Sequence, residues 1–362
     1  MSDLNARSKA VFAIAGLTSS PAPVPDGTAE SPLETFGSNV FDDKAMRRHL
    51  PRAVYRSLRK TMDRGERLDP AVADVVANAM KDWAMERGAT RMASKLTPAQ
   101  RVALARHPER PGTADFIKHL FTDFFEQRGD RLCAEDGSIL GGVALFHGKP
   151  VTVIGHRKGR SLEENLSLHF GMPSPEGYRK AQRLMLQAEK FRRPVITFID
   201  TPGAYPGLEA EARGQGEAIA STLALMSSLD VPVVTIVIGE GGSGGALALA
   251  VANRVLMLEH AVYSVLSPEG FASILWKDSG KADQAAEVMK LTAQDLVELG
   301  AADEVIPEPP GGAHENPQAV FVAVDRALSR ALDRVVREGD FAQKRYEKFR
   351  GMGTPDSGRD RS

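Results

Sequence analysis

The sequence predicts an α/β fold preceded by a small helical segment at the N-terminus. From about residue 94 onward, short apolar runs rich in β-branched residues alternate with amphipathic helical stretches, which is typical of α/β proteins. Two of the apolar runs end in glycine-containing turns, at 200–206 and 239–245. Residues 42–60 and 69–87 instead carry apolar residues at helical spacing only, so we predict helices there.

The N-terminal segment is predicted to contain a linker as well as these two helices. Residues 18–34 are rich in Pro, Ser and Gly, a composition typical of a linker or disordered arm. The helix at 69–87 begins with Asp69 and Pro70, a suitable N-cap and first-turn pair.

The remaining elements follow from the position of apolar runs and turn residues. We predict strands at 139–146, 150–154, 194–199, 231–238 and 254–258. We predict helices at 97–107, 114–127, 176–192, 209–228, 245–253 and 317–337.

Composition excludes several classes of function. A formal net charge of -1 gives no bulk attraction to nucleic acid or to a membrane. A single cysteine, Cys133, cannot form an internal disulfide or a zinc site of four cysteines, and it suits a reduced cytosolic setting. We expect neither a signal peptide, because the apolar run at 11–17 is short and lacks a clean cleavage site, nor a membrane span.

The strongest local signal is the glycine-rich stretch 239–245, between an apolar strand and a helix of small residues. Glycine lets the backbone turn sharply and approach a ligand closely. The helix that follows presents unpaired N–H groups and a partial positive charge, which suit a negative oxygen. The pattern does not say whether that oxygen is permanent or transient.

One interpretation of this stretch is a dinucleotide-binding fingerprint. Gly239, Gly241 and Gly244 fit G-x-G-x-x-G, and Glu259 ends the next strand about 20 residues later, where a ribose-binding acid would lie. A tight packing turn with no ligand would give the same pattern.

Two catalytic interpretations stay open beside it. Ser243 stands in a G-x-S-x-G pattern in the strand-turn-helix context of a hydrolase nucleophile, and Asp278 or Asp303 and then His314 follow in the hydrolase order. Alternatively, the N–H groups of Gly244 and Gly245 form an oxyanion hole for a thioester or ureido enolate. The second turn, 201–207, also follows a buried strand, and two such turns favour a bent acyl or urea group held between backbones.

Residues 95–350 resemble the alpha subunit of acetyl-CoA carboxylase carboxyltransferase throughout. The matching stretches are LTPAQRVALARHPERP (96–111), VIGHRKGR (153–160), FGMPSPEGYRKAQRLM (170–185), ITFIDTPGAYPG (196–207), RGQGEAIA (213–220), VIGEGGSGGALA (237–248), YSVLSPEGFASILWKD (263–278) and IPEPPGGAHENP (306–317). They are long, ordered and specific, so agreement by chance is negligible.

The resemblance implies a crotonase/ClpP-like fold, a spiral of ββα units, and a cytoplasmic α2β2 assembly active in fatty-acid biosynthesis. It implies that this chain binds carboxybiotin carried on the biotin carboxyl carrier protein and charged by biotin carboxylase. A zinc-bearing beta subunit would bind acetyl-CoA, and the product would be malonyl-CoA. We expect no metal on this chain, and neither nucleic acid nor membrane as a partner.

The resemblance also implies the site. The amides of Gly244 and Gly245 would be the catalytic groups that stabilise a negative oxygen on the biotin side. The biotin nitrogen would act as the base, so that no side-chain base is required. The rest of the carboxybiotin pocket would come from the two turns: Gly203, Ala204, Tyr205, Gly241, Gly242 and Ser243.

A basic loop precedes the site. His156, Arg157 and Lys158 could contact a phosphate of CoA or of the carrier, and a solvated loop is an equally good interpretation. The next stretch, 161–172, lacks the basic residues usual in the family, which weakens the phosphate interpretation.

Residues 1–91 resemble the start of type III glutamine synthetase, through NARSKAVFAIAG, FGSNVFDDKAMRRHLP and LDPAVADVVANAMKDWAMERGAT. The likeness stops at about Thr90, so the ATP-binding and metal-binding parts of that family have no counterpart and the head would be truncated and non-catalytic. We therefore expect a carboxyltransferase domain at 92–350 and a disordered tail at 351–362. The alternatives are a non-catalytic fused relic that serves as an interaction protein, and a serine hydrolase that uses Ser243.

Overall fold

The computed structural model of this protein describes residues 41–64 and 96–353, and helical residues between them at 72–73, 75–77, 79–80 and 83. The chain divides into two compact units, Met1–Met92 and Ala93–Ser362. Within the described ranges, no helix is both long and apolar enough to cross a membrane. The predicted linker at 18–34 and the tail beyond Gly353 lie outside the described residues.

The described part of the first unit includes two short helices, α1 (Asp43–His49) and α2 (Arg52–Arg64). The prediction of one helix over 42–60 is wrong because Pro51 separates the two. The residue before a proline is driven toward extended backbone, and Leu50 accordingly has φ −100° and ψ 140°.

Apolar side chains of the first unit form a small cluster of their own. Its buried members are Leu50, Leu58, Val76 and Ala79. Val76 and Ala79 belong to the predicted helix at 69–87, the ends of which lie outside the described residues. The apolar stripe of that helix therefore contributes to a core.

Helices and strands alternate along the second unit, which confirms the predicted α/β class. The strands are β1 (Thr122–Glu126), β2 (Ile139–Phe146), β3 (Lys149–His156), β4 (Val195–Thr201), β5 (Val233–Gly242), β6 (Arg254–Leu258), β7 (Val262–Ser264) and β8 (Glu304–Ile306). The helices are α3 (Pro98–Ala105), α4 (Thr113–Leu120), α5 (Leu162–Ser167), α6 (Pro175–Lys190), α7 (Leu208–Ala212), α8 (Gln215–Ser228), α9 (Ser243–Leu247), α10 (Pro268–Trp276), α11 (Ala282–Val288), α12 (Ala293–Glu298), α13 (Pro317–Glu338) and α14 (Phe341–Gly351).

The described strands form one mixed sheet in the order β1-β2-β3-β4-β5-β6-β8, and β7 pairs with β5. The pairs β1–β2 and β2–β3 are antiparallel, and all the later pairs are parallel. Helix α4 covers one face, where Thr113 approaches Gly155, and α6 covers the other, where Leu184 approaches Gly141. The inner strands are therefore buried on both faces, as their near-continuous apolar sequences require.

Two predicted helices differ from those observed. The prediction over 114–127 is wrong in its second half, because α4 ends at Leu120 and β1 pairs with β2 along the sheet edge. The prediction over 209–228 becomes two helices, α7 and α8, separated at Gly214, which has a φ of 84° that favours glycine.

The C-terminal helices close the unit. Helix α13 confirms the prediction at 317–337, and α14 lies where no element is predicted. Helix α14 is anchored by Arg345, which is fully buried and donates to the carbonyl oxygens of Met226 (2.8 Å), Leu229 (2.9 Å) and Val231 (3.0 Å). An interaction of one arginine with carbonyls more than a hundred residues away leaves no local pattern in the sequence.

Candidate active site

The glycine segment, Gly239–Gly245, lies where β5 ends. The predictions of a turn at 239–245 and a helix at 245–253 are wrong, because β5 stays extended to Gly242 and α9 covers only Ser243–Leu247. Strand β5 stays extended because Glu240–Gly242 pair with β7. Pairing with a strand some twenty residues away is invisible in the local glycine pattern.

The glycine segment packs backbone against backbone on the proline turn, Thr201–Gly207, which follows β4. A Cβ atom added at Gly242 would lie 2.0 Å from the carbonyl oxygen of Pro202, and one at Gly245 would lie 2.4 Å from the amide nitrogen of Ala204. No side chain fits at those distances, so only glycine permits the contact. The structure thus brings together the two glycine-containing stretches that the sequence singles out, although the first part of 239–245 is strand.

Ser243 and Gly244 form the open side of this contact. A Cβ atom at Gly244 would meet only Ile219, at 3.7 Å, and Ser243 is exposed with a φ of 57°. No side chain caps α9. Because the first amides of a helix have no intrahelical acceptor, those of Ser243 to Gly245 need an acceptor from outside the helix.

The proline turn is held by its neighbours. The ring of Tyr205 stacks on His169 with centroids 4.0 Å apart. The side-chain amide of Gln215 donates to the carbonyl oxygens of Tyr205 (3.0 Å) and Pro173 (2.8 Å), and the Tyr205 N–H donates to Pro173 at 3.0 Å. These contacts hold Tyr205 in place, and with it the adjacent predicted pocket residues Gly203 and Ala204.

Tyr178 lies beneath Gly245. Its hydroxyl is fully buried, lies 2.9 Å from the position that a Cβ of Gly245 would take, and has no hydrogen-bond partner within the described part of the chain. Burial raises the pKa of Tyr178, so the hydroxyl stays neutral.

A network of ion pairs forms one wall beside the glycine segment. The guanidinium of Arg106 donates to Glu240 (2.7 Å) and to Glu269 (2.7 Å). Burial alone would lower the pKa of Arg106, but the hydrogen bonds and charges of the two carboxylates raise it. The hydrogen bond from Arg106 lowers the pKa of Glu269 to about 2. The end of β5 is thereby tied to the start of α10.

A cavity of about 310 Å³ opens along this wall, next to the proline turn. Its charged lining consists of four cations and two carboxylates: Arg106, Arg110, Lys158, Arg160, Asp200 and Glu240. The rings of Phe170 and His107 also line it. The cavity adjoins the carboxyl ends of β3, β4 and β5, where ligands bind in open α/β sheets.

The three residues predicted as a basic loop lie in different environments. His156 is 1% exposed, and burial lowers its pKa to about 4 although the charge of Asp200 favours protonation. Lys158 pairs with Asp200 at 2.6 Å, and Arg157 is half-buried with its N–H donated to Ser138. A neutral, buried imidazole and a paired ammonium offer little to a phosphate.

The dinucleotide interpretation loses its acidic residue. The carboxylate of Glu259 accepts the N–H of Glu308 at 3.0 Å, and the Glu259 carbonyl accepts from Arg101 at 2.7 Å. Glu259 thus holds the loop after β8 and is not left for a ribose.

The structure supports one part of the hydrolase interpretation, the backbone conformation of Ser243, but places no base beside it in the described part of the chain. Ser243 has the left-handed backbone of a nucleophile turn. His314, however, stacks on His107 with centroids 3.7 Å apart, and Asp303 pairs with Arg254 at 2.9 Å. In the described ranges, no hydrogen bond joins Ser243 to a histidine.

Sequence reasoning missed four polar residues around the glycine segment: Arg106, Tyr178, Asp200 and Glu269. All four lie in stretches that carry the family resemblance, which is the one signal that could have selected them. Where the chain is described, no group of three or more His, Cys, Asp or Glu side chains could hold a metal ion.

Comparison with known proteins gives a consistent result. A family model described as acetyl co-enzyme A carboxylase carboxyltransferase-like matches residues 56–353, and so begins inside the first unit. The acetyl-coenzyme A carboxylase carboxyl transferase subunit alpha of Geobacillus kaustophilus (strain HTA426) is 58% identical over 262 residues, which cover 72% of this chain and 81% of that protein. The protein of the same description from Bacillus cereus (strain G9842) is 57% identical over 255 residues, which cover 70% of this chain and 79% of that protein.

Solved structures support the crotonase-like fold at low sequence identity. A transcarboxylase 12S chain superposes with a TM-score of 0.52 at 19% identity, over 65% of this chain and 44% of that chain. A chain of a Pseudomonas malonate decarboxylase hetero-tetramer, solved with coenzyme A, superposes with a TM-score of 0.51 at 18% identity, over 60% of this chain and 86% of that chain.

Proposed function

Because this chain belongs to the family of acetyl-CoA carboxylase carboxyltransferase alpha subunits, we propose that it transfers the carboxyl group of carboxybiotin to acetyl-CoA, to give malonyl-CoA, together with a beta subunit. The observation that carries the site is the backbone contact between the glycine segment and the proline turn at the carboxyl ends of β4 and β5.

The site suits a planar, polar ligand that approaches backbone. Gly244 leaves open space where any other residue would project a side chain, and the neighbouring Gly242 and Gly245 let the two turns touch. The unpaired first amides of α9 would donate to an oxygen placed there. The pocket would be completed by Gly203, Ala204, Tyr205, Gly241 and Ser243.

Carboxybiotin, when bound, would supply an activated carboxyl group and leave negative charge on its ureido oxygen. The amides of Gly244 and Gly245 would stabilise that charge, and a single oxyanion-hole donor typically contributes about 10²–10³ in rate. The buried packing of Gly245 on Ala204 holds the donors in place before the reaction, so that little reorganisation is needed during it.

The binding of acetyl-CoA would take place on a partner subunit. Relatives at 57–58% identity are described as subunit alpha, and the malonate decarboxylase neighbour is a hetero-tetramer. We therefore propose a zinc-bearing beta subunit that binds acetyl-CoA, a biotin carboxyl carrier protein, biotin carboxylase, an α2β2 assembly and a cytoplasmic location.

The other regions are also assigned by proposal. Residues 92–350 would form the carboxyltransferase domain, and 351–362 would be a C-terminal tail outside it. The head, 1–91, would be a non-catalytic remnant related to type III glutamine synthetase. Within the basic loop, Arg157 keeps a role in phosphate contact, since His156 is buried and Lys158 is paired.

The direct experiment mixes the purified chain with a beta subunit, the carboxylated carrier protein and acetyl-CoA, and measures malonyl-CoA. We expect malonyl-CoA only when both subunits are present. A fused relic would give no product with any beta subunit and would capture neither that subunit nor the carrier. A serine hydrolase would instead react with a fluorophosphonate probe at Ser243, which we do not expect.

A further inference from the structure

The pairing of β4 with β5 is irregular beside the glycine segment. Ile199 pairs with Val237, but Thr201 pairs with Gly241, so that Asp200 alone stands opposite three residues of β5. At the same place β5 leaves β6, its neighbour through Val237, and begins to pair with β7 at Glu240. Such irregularities bend a strand and redirect the residues that follow.

Asp200 occupies the gap that the irregularity makes. Its Oδ1 accepts the N–H of Glu240 at 3.1 Å, and so replaces a ladder hydrogen bond. Its carboxylate rests against the α-carbon of Gly239, where an added Cβ would lie 2.4 Å from Oδ1. The contacts of Asp200 therefore fix the backbone at Gly239 and Glu240, where the glycine segment begins. They are possible because Gly239 has no side chain.

Lys158 holds Asp200 in this position from the loop after β3. Its ammonium lies 2.6 Å from Asp200 Oδ1 and 3.9 Å from Glu240 Oε2, and its stem packs close to Gly171. The side chains of Asp200 and Lys158 are 12% and 27% exposed, so their attraction is less screened than that of a surface pair. The carboxylate of Asp200 thus acts directly on the backbone at Glu240, and the ammonium of Lys158 acts on it through Asp200.

On the basis of the function proposed above, we propose that Asp200 and Lys158 are positioning residues that aim the amides of the glycine segment. Neither side chain needs to touch the carboxyl group in transit. Asp200 sets the point at which β5 turns toward β7, and Lys158 fixes the rotamer and charge of Asp200. The donors at Gly244 and Gly245 lie two and three residues beyond Gly242, the last residue of that pairing.

The first test distinguishes an effect on the positioning of the amide donors from an effect on substrate binding. We expect Asp200→Asn, which keeps an oxygen acceptor but loses the charge, to lower kcat by about 10-fold, and Asp200→Ala to lower it by about 100-fold. The KM for the carboxylated carrier should change by less than about 3-fold, because binding contacts are retained. Asp230→Asn is the matched control, since Asp230 forms a 3.0 Å pair with Arg192 in which the side chains are 61% and 74% exposed; this variant should keep native kcat.

A double-mutant cycle tests the pair. If Lys158 acts through Asp200, Lys158→Met should lower kcat about as much as Asp200→Asn, and the double variant should lose little more than either one. Losses that multiply, a rise in KM alone, or native kcat in folded Asp200→Asn would overturn the proposal. Should Asp200→Ala not fold, Asp200→Asn and Lys158→Met decide the outcome, since both keep the size of the native side chain.

Hydrogen exchange gives a readout that does not depend on activity. We expect faster amide exchange over 239–245 in Asp200→Asn, with α13 unchanged. Unchanged exchange there would also overturn the proposal. If the native chain makes no malonyl-CoA with its partner, the proposed function fails, whereas a fully active Asp200→Asn variant beside an active native chain refutes only the positioning role.

Discussion

Gly242 lies against Pro202 so closely that an added Cβ atom would sit 2.0 Å from the proline carbonyl oxygen. This contact joins the end of β5 to the turn after β4. Because of this contact, the glycine segment and the proline turn lie side by side and together form the candidate site.

Gly242→Ala should therefore separate the turns. We expect a loss of about 100-fold in malonyl-CoA formation, because a displacement of about 1 Å in a catalytic frame has effects of that size. Gly216→Ala is the matched control, since a Cβ atom at Gly216, in α8, meets nothing within 4 Å. Equal rates for the two variants would show that the contact is unimportant.

A buried ion pair contacts β5 directly before the glycine segment. Arg110 donates to both oxygens of Glu308 (2.5 and 2.9 Å) and to the carbonyl of Ile238. Burial opposes ionisation of Glu308, but the charge and hydrogen bonds of Arg110 lower its pKa. We expect Arg110→Met to cost about 3–5 kcal/mol, because it leaves the buried carboxylate of Glu308 without its cation.

Thermal unfolding measures this effect. The double variant Arg110→Met/Glu308→Gln should recover part of the loss, because no uncompensated charge remains. A single variant that melts at the native temperature would contradict the assignment.

His156 should make stability depend on pH. Burial lowers its pKa from 6.5 to about 4, so that between these values the unfolded chain binds a proton and the folded chain does not. Stability contributed in this way is lost as pH falls through that window, by up to about 3 kcal/mol. The drop in Tm between about pH 7 and pH 5 should be smaller in His156→Gln than in the native chain. His147→Gln, at a largely exposed histidine, should keep the native drop, and an equal drop in both variants would refute the prediction.

Arg345 should be essential for docking α14. Burial lowers its pKa to about 10, while its guanidinium satisfies carbonyl oxygens at the end of α8. Arg345→Met would leave these oxygens unpaired, at about 1–3 kcal/mol each. We expect a clearly lower Tm, with Arg350→Met, at an exposed position of the same helix, as the control. Equal Tm values would show that the docking does not depend on Arg345.

The parts of the fold that local pattern decides could be predicted. Strands β2 and β6 have the predicted bounds, because each is an apolar run between turn residues. The sequence also singles out the two glycine-containing stretches that meet, since their glycines are required by close backbone contact, although it predicts a turn where β5 stays extended. The length of β5 was not found, because Gly241 and Gly242 stay extended only through pairing with β7.

The polar frame of the site could not be derived from spacing. Asp200 and Glu240 are 40 positions apart and meet only because of the irregular register between β4 and β5. Arg106, which follows α3, and Glu269, in α10, come together although they are distant in sequence. Resemblance to a family marks such residues as members of matching stretches, but only the three-dimensional contacts give them a role.

The most direct test of the account is a single-turnover measurement of carboxyl transfer from the isotope-labelled carrier protein to acetyl-CoA, with the beta subunit present. A Cβ atom at Gly245 would lie 2.4 Å from the amide nitrogen of Ala204, so Gly245→Ala must displace the proposed donors. We predict that label reaches malonyl-CoA with the native chain and with Gly216→Ala, and at least about 100-fold more slowly with Gly245→Ala. Transfer at the native rate by a folded Gly245→Ala chain would contradict the assignment of the glycine segment as the catalytic site.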